Sequence, residues 1–157
     1  MERWLSHGLE TYVQRCLIDF SRLRVDHPSV LYQRGELTMA AGLLGEAEAL
    51  FRRGLTMAPA HFKLHRGLAE VLQRQGLFGD ASEVLAEANE QTPGLGWLIV
   101  LEAETLLQAG LPARAWAVLE SAEALIDDAY RGPLVRAKVL ETLGRIPGAR
   151  EPARPTA

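Results

Sequence analysis

His61 and His65 stand four residues apart, a spacing that puts two imidazoles on one side of a helix, where a metal ion can bridge them. The residues between them, Phe62, Lys63 and Leu64, include no carboxylate, so this is not the helix of a zinc protease, and no third ligand stands nearby. A packed or capping role is expected for both, and no metal. Cys16 is the only cysteine and excludes an internal disulfide. It lies among apolar residues at helical spacing, where a buried, inert thiol is expected. A reactive thiol needs a basic and partly open setting, and the neighbouring Arg15 points elsewhere on a helix. Glu46 with Glu48, and Asp127 with Asp128, are the carboxylate pairs that acid–base work would need. Their surroundings are those of solvated charge. No glycine loop is built to cradle a phosphate. The chain is therefore expected to be no enzyme and to need no cofactor.

The bulk composition agrees. Hydrophobic residues make up 48% of the 157 positions and charged residues 24%, the balance of a globular domain. A formal charge of −3 disfavours nucleic acid as a partner. The first ten residues lack the apolar stretch of a signal peptide. The longest apolar run, Trp97 to Leu101, is too short to cross a bilayer. No direct membrane insertion is expected, and a cytoplasmic location is.

The elements that would position any site follow from one internal period. An offset of 34 residues takes Pro59 to Pro93, Gly42 to Gly76, Gly110 and Gly144, and Ala47 to Ala81 and Ala115. It takes Phe51 to Leu85 and Leu119, Gly54 to Ala88 and Ala122, and Gly35 to Ala69, Ala103 and Ala137. Within one period, Leu64, Leu68, Ala69 and Leu72 fall on one helical face, Gly76 breaks the helix and Asp80 is placed to cap the next. Ala81, Val84, Leu85 and Ala88 then form a second face before Pro93 ends the unit. Antiparallel helices approach closely only where side chains are short, so Ala69 and Ala81 are expected at the contact. His65 falls on the packing positions Leu31 and Ile99.

On these residues the chain resembles the tetratricopeptide repeat family over about residues 29–144. The resemblance implies an all-α, right-handed superhelical solenoid of helix-turn-helix repeats with N-terminal and C-terminal capping helices. The expected divisions are a capping helix over 1–28, repeats over 29–61, 62–95 and 96–129, a closing helix over 130–145 and a disordered tail over 146–157. Leu9, Tyr12, Val13, Cys16, Leu17, Phe20 and Leu23 form the stripe of the first cap. Leu134, Ala137, Val139, Leu140 and Leu143 form that of the last. Two positions depart from the pattern. Asp127 stands where the third exit proline belongs, and Thr38 replaces a large packing residue, which predicts loose packing there.

Stacked repeats present a concave groove lined by the first helix of each pair. The face away from the small-residue stripe carries Ser29, Tyr32, Gln33, Glu36 and Met39. The period adds Lys63, Arg66, Gly67, Glu70 and Gln73, then Trp97, Val100, Leu101, Glu104 and Leu107. The last helix offers Arg131, Leu134, Val135, Lys138 and Glu141. The helix from Trp97 to Leu107 is apolar nearly all round, so its second side needs a ligand, a second subunit or the chain's own closing helix. Trp116 replaces the polar Glu48 and Ser82 of earlier repeats. It marks either a homodimer contact or a tryptophan partly buried beside Leu119 or the closing helix.

A protein or peptide partner is thus expected in the groove, with Trp97 at its centre and Lys63, Arg66, Arg131 and Lys138 orienting an acidic or extended segment. The paired lysines and asparagines that hold a C-terminal carboxylate in chaperone-binding relatives are missing. A scaffold or assembly adaptor is one reading. The chain is also similar to the tetratricopeptide chaperones of type III secretion translocators in size, acidic balance and the stretch Ala103 to Gly110, which implies a hold on an extended apolar segment. An enzyme of unknown class is the remaining alternative.

Overall fold

A computed structural model describes residues 8, 11–16, 18–19, 26–126 and 131–144, and among them there is helix and turn but no strand. The chain divides into two compact units at the Thr92–Pro93 bond. Residues 11–16 and 18–19 are helical. Eight further helices follow: α1 Pro28–Ala40, α2 Leu44–Met57, α3 Phe62–Arg74 and α4 Phe78–Gln91 in the first unit, then α5 Gly96–Gln108, α6 Pro112–Ser121, α7 Glu123–Ile126 and α8 Gly132–Thr142 in the second.

The turns inside the pairs repeat one geometry. Gly42, Gly76 and Gly110 take φ of +80°, +80° and +76°, the left-handed conformation that a side chain would penalise. Beside each, the N–H three residues past the helix end reaches back to a carbonyl: Leu43 to Thr38 (3.1 Å), Leu77 to Leu72 (2.8 Å) and Leu111 to Leu106 (2.9 Å). This closing bond satisfies a carbonyl the helix leaves open. The next helix starts at once, with Leu43, Leu77 or Leu111 as its N-cap and no side-chain cap. The cap expected from Asp80 is therefore not formed. Asp80 lies in the first turn of α4, where a carboxylate still favours the N-terminal end of the helix dipole. His27 does cap α1, its Nδ1 accepting from the Ser29 N–H at 3.2 Å.

The first unit packs around Phe51, which is fully buried. Its ring is so close to two glycines that a Cβ built on Gly35 would stand 2.5 Å from it and one on Gly67 2.6 Å. Gly67, expected on the open face, is instead part of this packing, and Met39 is buried as well. Thr38 is buried without an orphan hydroxyl, because its Oγ1 donates to the Arg34 carbonyl at 2.7 Å. His65 is buried, and its Nε2 lies 2.7 Å from the Pro59 carbonyl. It serves as a packing residue like its equivalents Leu31 and Ile99, both also buried. Among the described residues no cluster of three metal-ligating side chains exists.

The second unit has its own core of Ile99, Val100, Ala103, Leu106, Ala115, Leu119, Ile126, Val135 and Val139. Here the 34-residue period is interrupted at the end of α6. The backbone turns at Ala122 (φ −131°, ψ 27°), so α6 ends at Ser121 and a single turn, α7, follows. The inward residues of α8 are then Val135 and Val139, while Ala137, the periodic equivalent of Ala103, is exposed. Gly132, Val135 and Val139 are the periodic equivalents of Leu98, Leu101 and Thr105, and Gly144, with φ +68°, repeats the turn of Gly110, so α8 resumes the period. Gly132 makes this seat: a Cβ there would run into the Ile126 carbonyl, and one on Gly96 into that of Leu125.

Of the stripe expected for a first cap, Tyr12, Val13 and Cys16 are described. Val13 is buried, Cys16 is half-buried and Tyr12 is exposed, so the thiol is less enclosed than its stripe implied. Leu9, Leu17, Phe20 and Leu23, the pair Asp127 and Asp128, and the tail after Gly144 lie outside the described residues. No described helix is long and apolar enough to cross a membrane.

Candidate functional site

In each unit the first helices of the pairs carry a distinct set of side chains. In the first unit, α1 and α3 bring Tyr32, Glu36, Arg66 and Glu70 together. Arg66 Nη2 donates to Tyr32 Oη at 2.9 Å. Tyr32 stands 6.1 Å, centroid to centroid, from Phe51 and 6.5 Å from His61, so one aromatic edge runs from the core to the surface. Burial pushes the Tyr32 hydroxyl pKa up, and Glu36 adds to this against the pull of Arg66. Burial also holds the Glu36 carboxyl above the usual carboxylate range, with the negative charge of Glu70 next, against Arg66, Tyr32 and Arg74. Its Oε1 is buried without a hydrogen-bond partner. Glu70 accepts from Arg74 at 2.8 Å. Gln33 and Lys63 are exposed on the same two helices. The result is a compact polar array with little apolar surface of its own.

In the second unit, α5 and α8 enclose an open cavity of about 430 Å³, within the range of roughly 300–1,000 Å³ usual for ligand sites. Arg131, Leu134, Val135, Lys138 and Thr142 reach it from α8 and its N-cap. Their spacing of three and four marks one helical face. Glu104, Leu107 and Gln108 face them from α5. Val135, 3% exposed, is the apolar floor. Leu134 is 66% exposed, a large apolar side chain held in water at the mouth. Arg131 Nη2 pairs with Glu104 Oε1 at 2.7 Å across the opening.

Of the residues expected on the working surface, Arg131, Leu134, Val135 and Lys138 therefore line one cavity. Val100 does not: it is 3% exposed and packs in the core with Val135. Leu101 is half-buried and Trp97 is 39% exposed in the first turn of α5, and neither lines the cavity. Trp116 is half-buried against the core of its unit, with the Arg136 guanidinium 5.5 Å from its ring centroid. Gln108 and Thr142 were not foreseen. Gln108 is the helical neighbour, four residues on, of Glu104, and Thr142 stands four beyond Lys138. The stripe was readable once these anchors were chosen, but only the packing of α8 against α5 brings the two stripes face to face.

Residues 38–97 match the family model described as a tetratricopeptide repeat. That stretch resembles the tetratricopeptide repeat family, and the chain shares the fold of solved tetratricopeptide-repeat structures. The same repeat fold appears in a MamA protein from Desulfovibrio magneticus RS-1, at a TM-score of 0.71 and 19% identity over 92% of this chain and 81% of that one. It appears in YrrB, described as a tetratricopeptide-repeat protein with an unusual peptide-binding site, at 0.64 and 15% over 82% and 70%. It appears again in the Yersinia enterocolitica type III secretion chaperone SycD in complex with a peptide of the translocator YopD, at 0.59 and 21% over 73% and 87%. At these identities the likeness is one of fold. No curated protein sequence matches the chain. Within the tetratricopeptide fold the α5–α8 cavity lies on the first helix of the third pair and on the helix that follows it, with no donor set suited to a metal.

Proposed function

We propose that this chain is a non-enzymatic, cytoplasmic protein-binding module, a scaffold or assembly adaptor that holds a partner's peptide segment on the faces of its first helices. The observation that carries this reading is the α5–α8 cavity, with Leu134 exposed at its mouth and Val135 as its floor. An open concavity with apolar walls and a few placed polar groups is the usual form of a recognition site. The peptide-binding site named for YrrB and the peptide held by SycD support the same use of the fold. Trp97, Leu101 and Arg131 belong to the proposed surface of the second unit, and Tyr32, Gln33, Lys63, Arg66 and Glu70 form a separate proposed surface on the first. Val100 is left out because it is core.

The test is selection of displayed random linear peptides against the full chain. Enriched peptides should bind the purified protein, and Leu134→Asp should weaken them at least tenfold. Failure to enrich any peptide, or binding indifferent to Leu134→Asp and to changes at Tyr32 and Arg66, rules the reading out.

A second reading, chaperone of an exported protein, is favoured by the likeness to SycD with its translocator peptide. Co-purification from the native host separates the two. A small, stable partner that is itself exported selects the chaperone, and a large assembly selects the adaptor. Turnover of a small molecule by the pure protein, with no partner found, sinks both.

A further inference from the structure

We infer that the α5–α8 cavity recognises a peptide segment carrying an aliphatic and an acidic side chain two residues apart, the carboxylate being received by Lys138. This rests on reading the chain as a peptide-binding module and adds what the peptide must contain.

Charge is the first ground. Four basic residues were candidates to orient a partner, and the structure separates them. Arg66 is engaged with Tyr32 at 2.9 Å. Arg131 is engaged with Glu104 at 2.7 Å, which also neutralises the one carboxylate lining the cavity. Lys63 is exposed on α3 and does not line this cavity. Lys138 alone lines this cavity without an ion pair among the described residues, so the cavity keeps one positive charge for a ligand. A flexible, strongly hydrated ammonium on a long stem suits a carboxylate at a partly open mouth.

Geometry is the second ground. Leu134 and Lys138 are four residues apart on α8, hence about 6 Å apart along the helix axis at roughly 1.5 Å per residue. In an extended peptide, side chains on the same side recur every second residue, about 6.6 Å at roughly 3.3 Å per residue. A segment lying along α8 therefore sets one side chain on Leu134 and the next of the same side on Lys138. The first meets Leu134, Leu107 and Val135 and must be aliphatic. The second meets an unpaired ammonium and must be acidic. A one-residue spacing turns the two side chains to opposite sides, and a three-residue spacing overshoots and also alternates.

The experiment uses the full chain and the peptides enriched from the displayed random library, resynthesised with blocked ends and a fluorescein label. Anisotropy should show Leu, Ile or Met two positions from Asp or Glu in the tight binders. Replacing that acid by its amide should weaken binding tenfold or more on the wild type and less than twofold on Lys138→Gln. Moving the acid by one position should have the same effect as removing it. Methyl resonances of Leu107, Leu134 and Val135 should shift on titration. Lys138 is exposed, and circular dichroism should find Lys138→Gln folded. Peptides that bind without an acid at that spacing, or equally well to Lys138→Gln, overturn the inference while the binding-module reading survives. Shifts confined to the Tyr32–Arg66 face do the same. No enriched peptide overturns both. Concentration-dependent sedimentation abolished by Leu134→Asp would assign the cavity to a second copy of the chain and overturn the inference as well.

Discussion

Arg66 Nη2 donates a hydrogen bond to Tyr32 Oη at 2.9 Å, and the two residues are 34 positions apart, one repeat period. The period thus appears in space as a direct bond between equivalent sites of α1 and α3. Tyr32→Phe keeps the ring contacts with Phe51 and His61 but removes the acceptor. It should cost about 0.5–1.5 kcal/mol in urea unfolding. Arg66→Met should cost a similar amount, and the double variant less than the sum. Additive losses would mean the bond contributes nothing in solution.

Glu36 lies beside this pair, and the groups facing it are Tyr32 on α1 with Arg66, Glu70 and Arg74 on α3. Its pKa is raised on folding, first by burial and then by Glu70. A carboxyl with a raised pKa binds its proton more tightly in the folded state, so its contribution favours folding at low pH and turns to a penalty as pH rises through the folded value. Glu36→Gln should therefore raise the melting temperature near pH 7. The gain should vanish below about pH 4, where the carboxyl is protonated in both states. A variant that is less stable at neutral pH would show that ionised Glu36 is needed by Arg66 more than it is opposed by Glu70.

Gly35 and Gly67 leave room for the Phe51 ring, while the equivalents of the Gly35–Phe51 pair are Ala69 with Leu85 and Ala103 with Leu119, all buried. A smaller residue on one helix accompanies a larger one on the other. Gly35→Ala should destabilise by about 1–3 kcal/mol through overpacking. Combining it with Phe51→Leu should recover part of that loss, because the pair then copies the second repeat. Ala103→Leu, with no compensating change, should cost about 1–3 kcal/mol. Thermal melts that leave Gly35→Ala at wild-type stability would refute the packing described for α1 and α2.

Trp116 packs on the core of the second unit beneath Arg136, which also pairs with Glu123 at 2.8 Å. An aromatic face under a guanidinium gains about 0.5–1 kcal/mol at an exposed site. Trp116→Ser should lower the melting temperature and leave the sedimentation coefficient unchanged. Should the wild type instead associate with rising concentration, and the variant not, Trp116 would belong to a subunit contact.

The sequence by itself determined everything that local geometry repeats. Gly42, Gly76 and Gly110 announce their turns because only glycine takes a positive φ without strain. Ala69, Ala81, Ala103 and Ala115 announce the close helix contacts because the small residues recur at the 34-residue period. His65 reads as core for the same reason. What the sequence did not decide lies after Ala122, where α6 ends early and a single turn, α7, precedes α8. Packing against α5 buries Val135 and leaves Leu134 in water, and no helical pattern distinguishes them, since both sit on the boundary of the apolar face. Nor did composition say which cation stays unpaired: Arg131 is claimed by Glu104, 27 positions earlier in the chain, and Lys138 is not. Such pairings depend on how two helices seat against each other, a tertiary property set here by Gly132 closing on the Ile126 carbonyl.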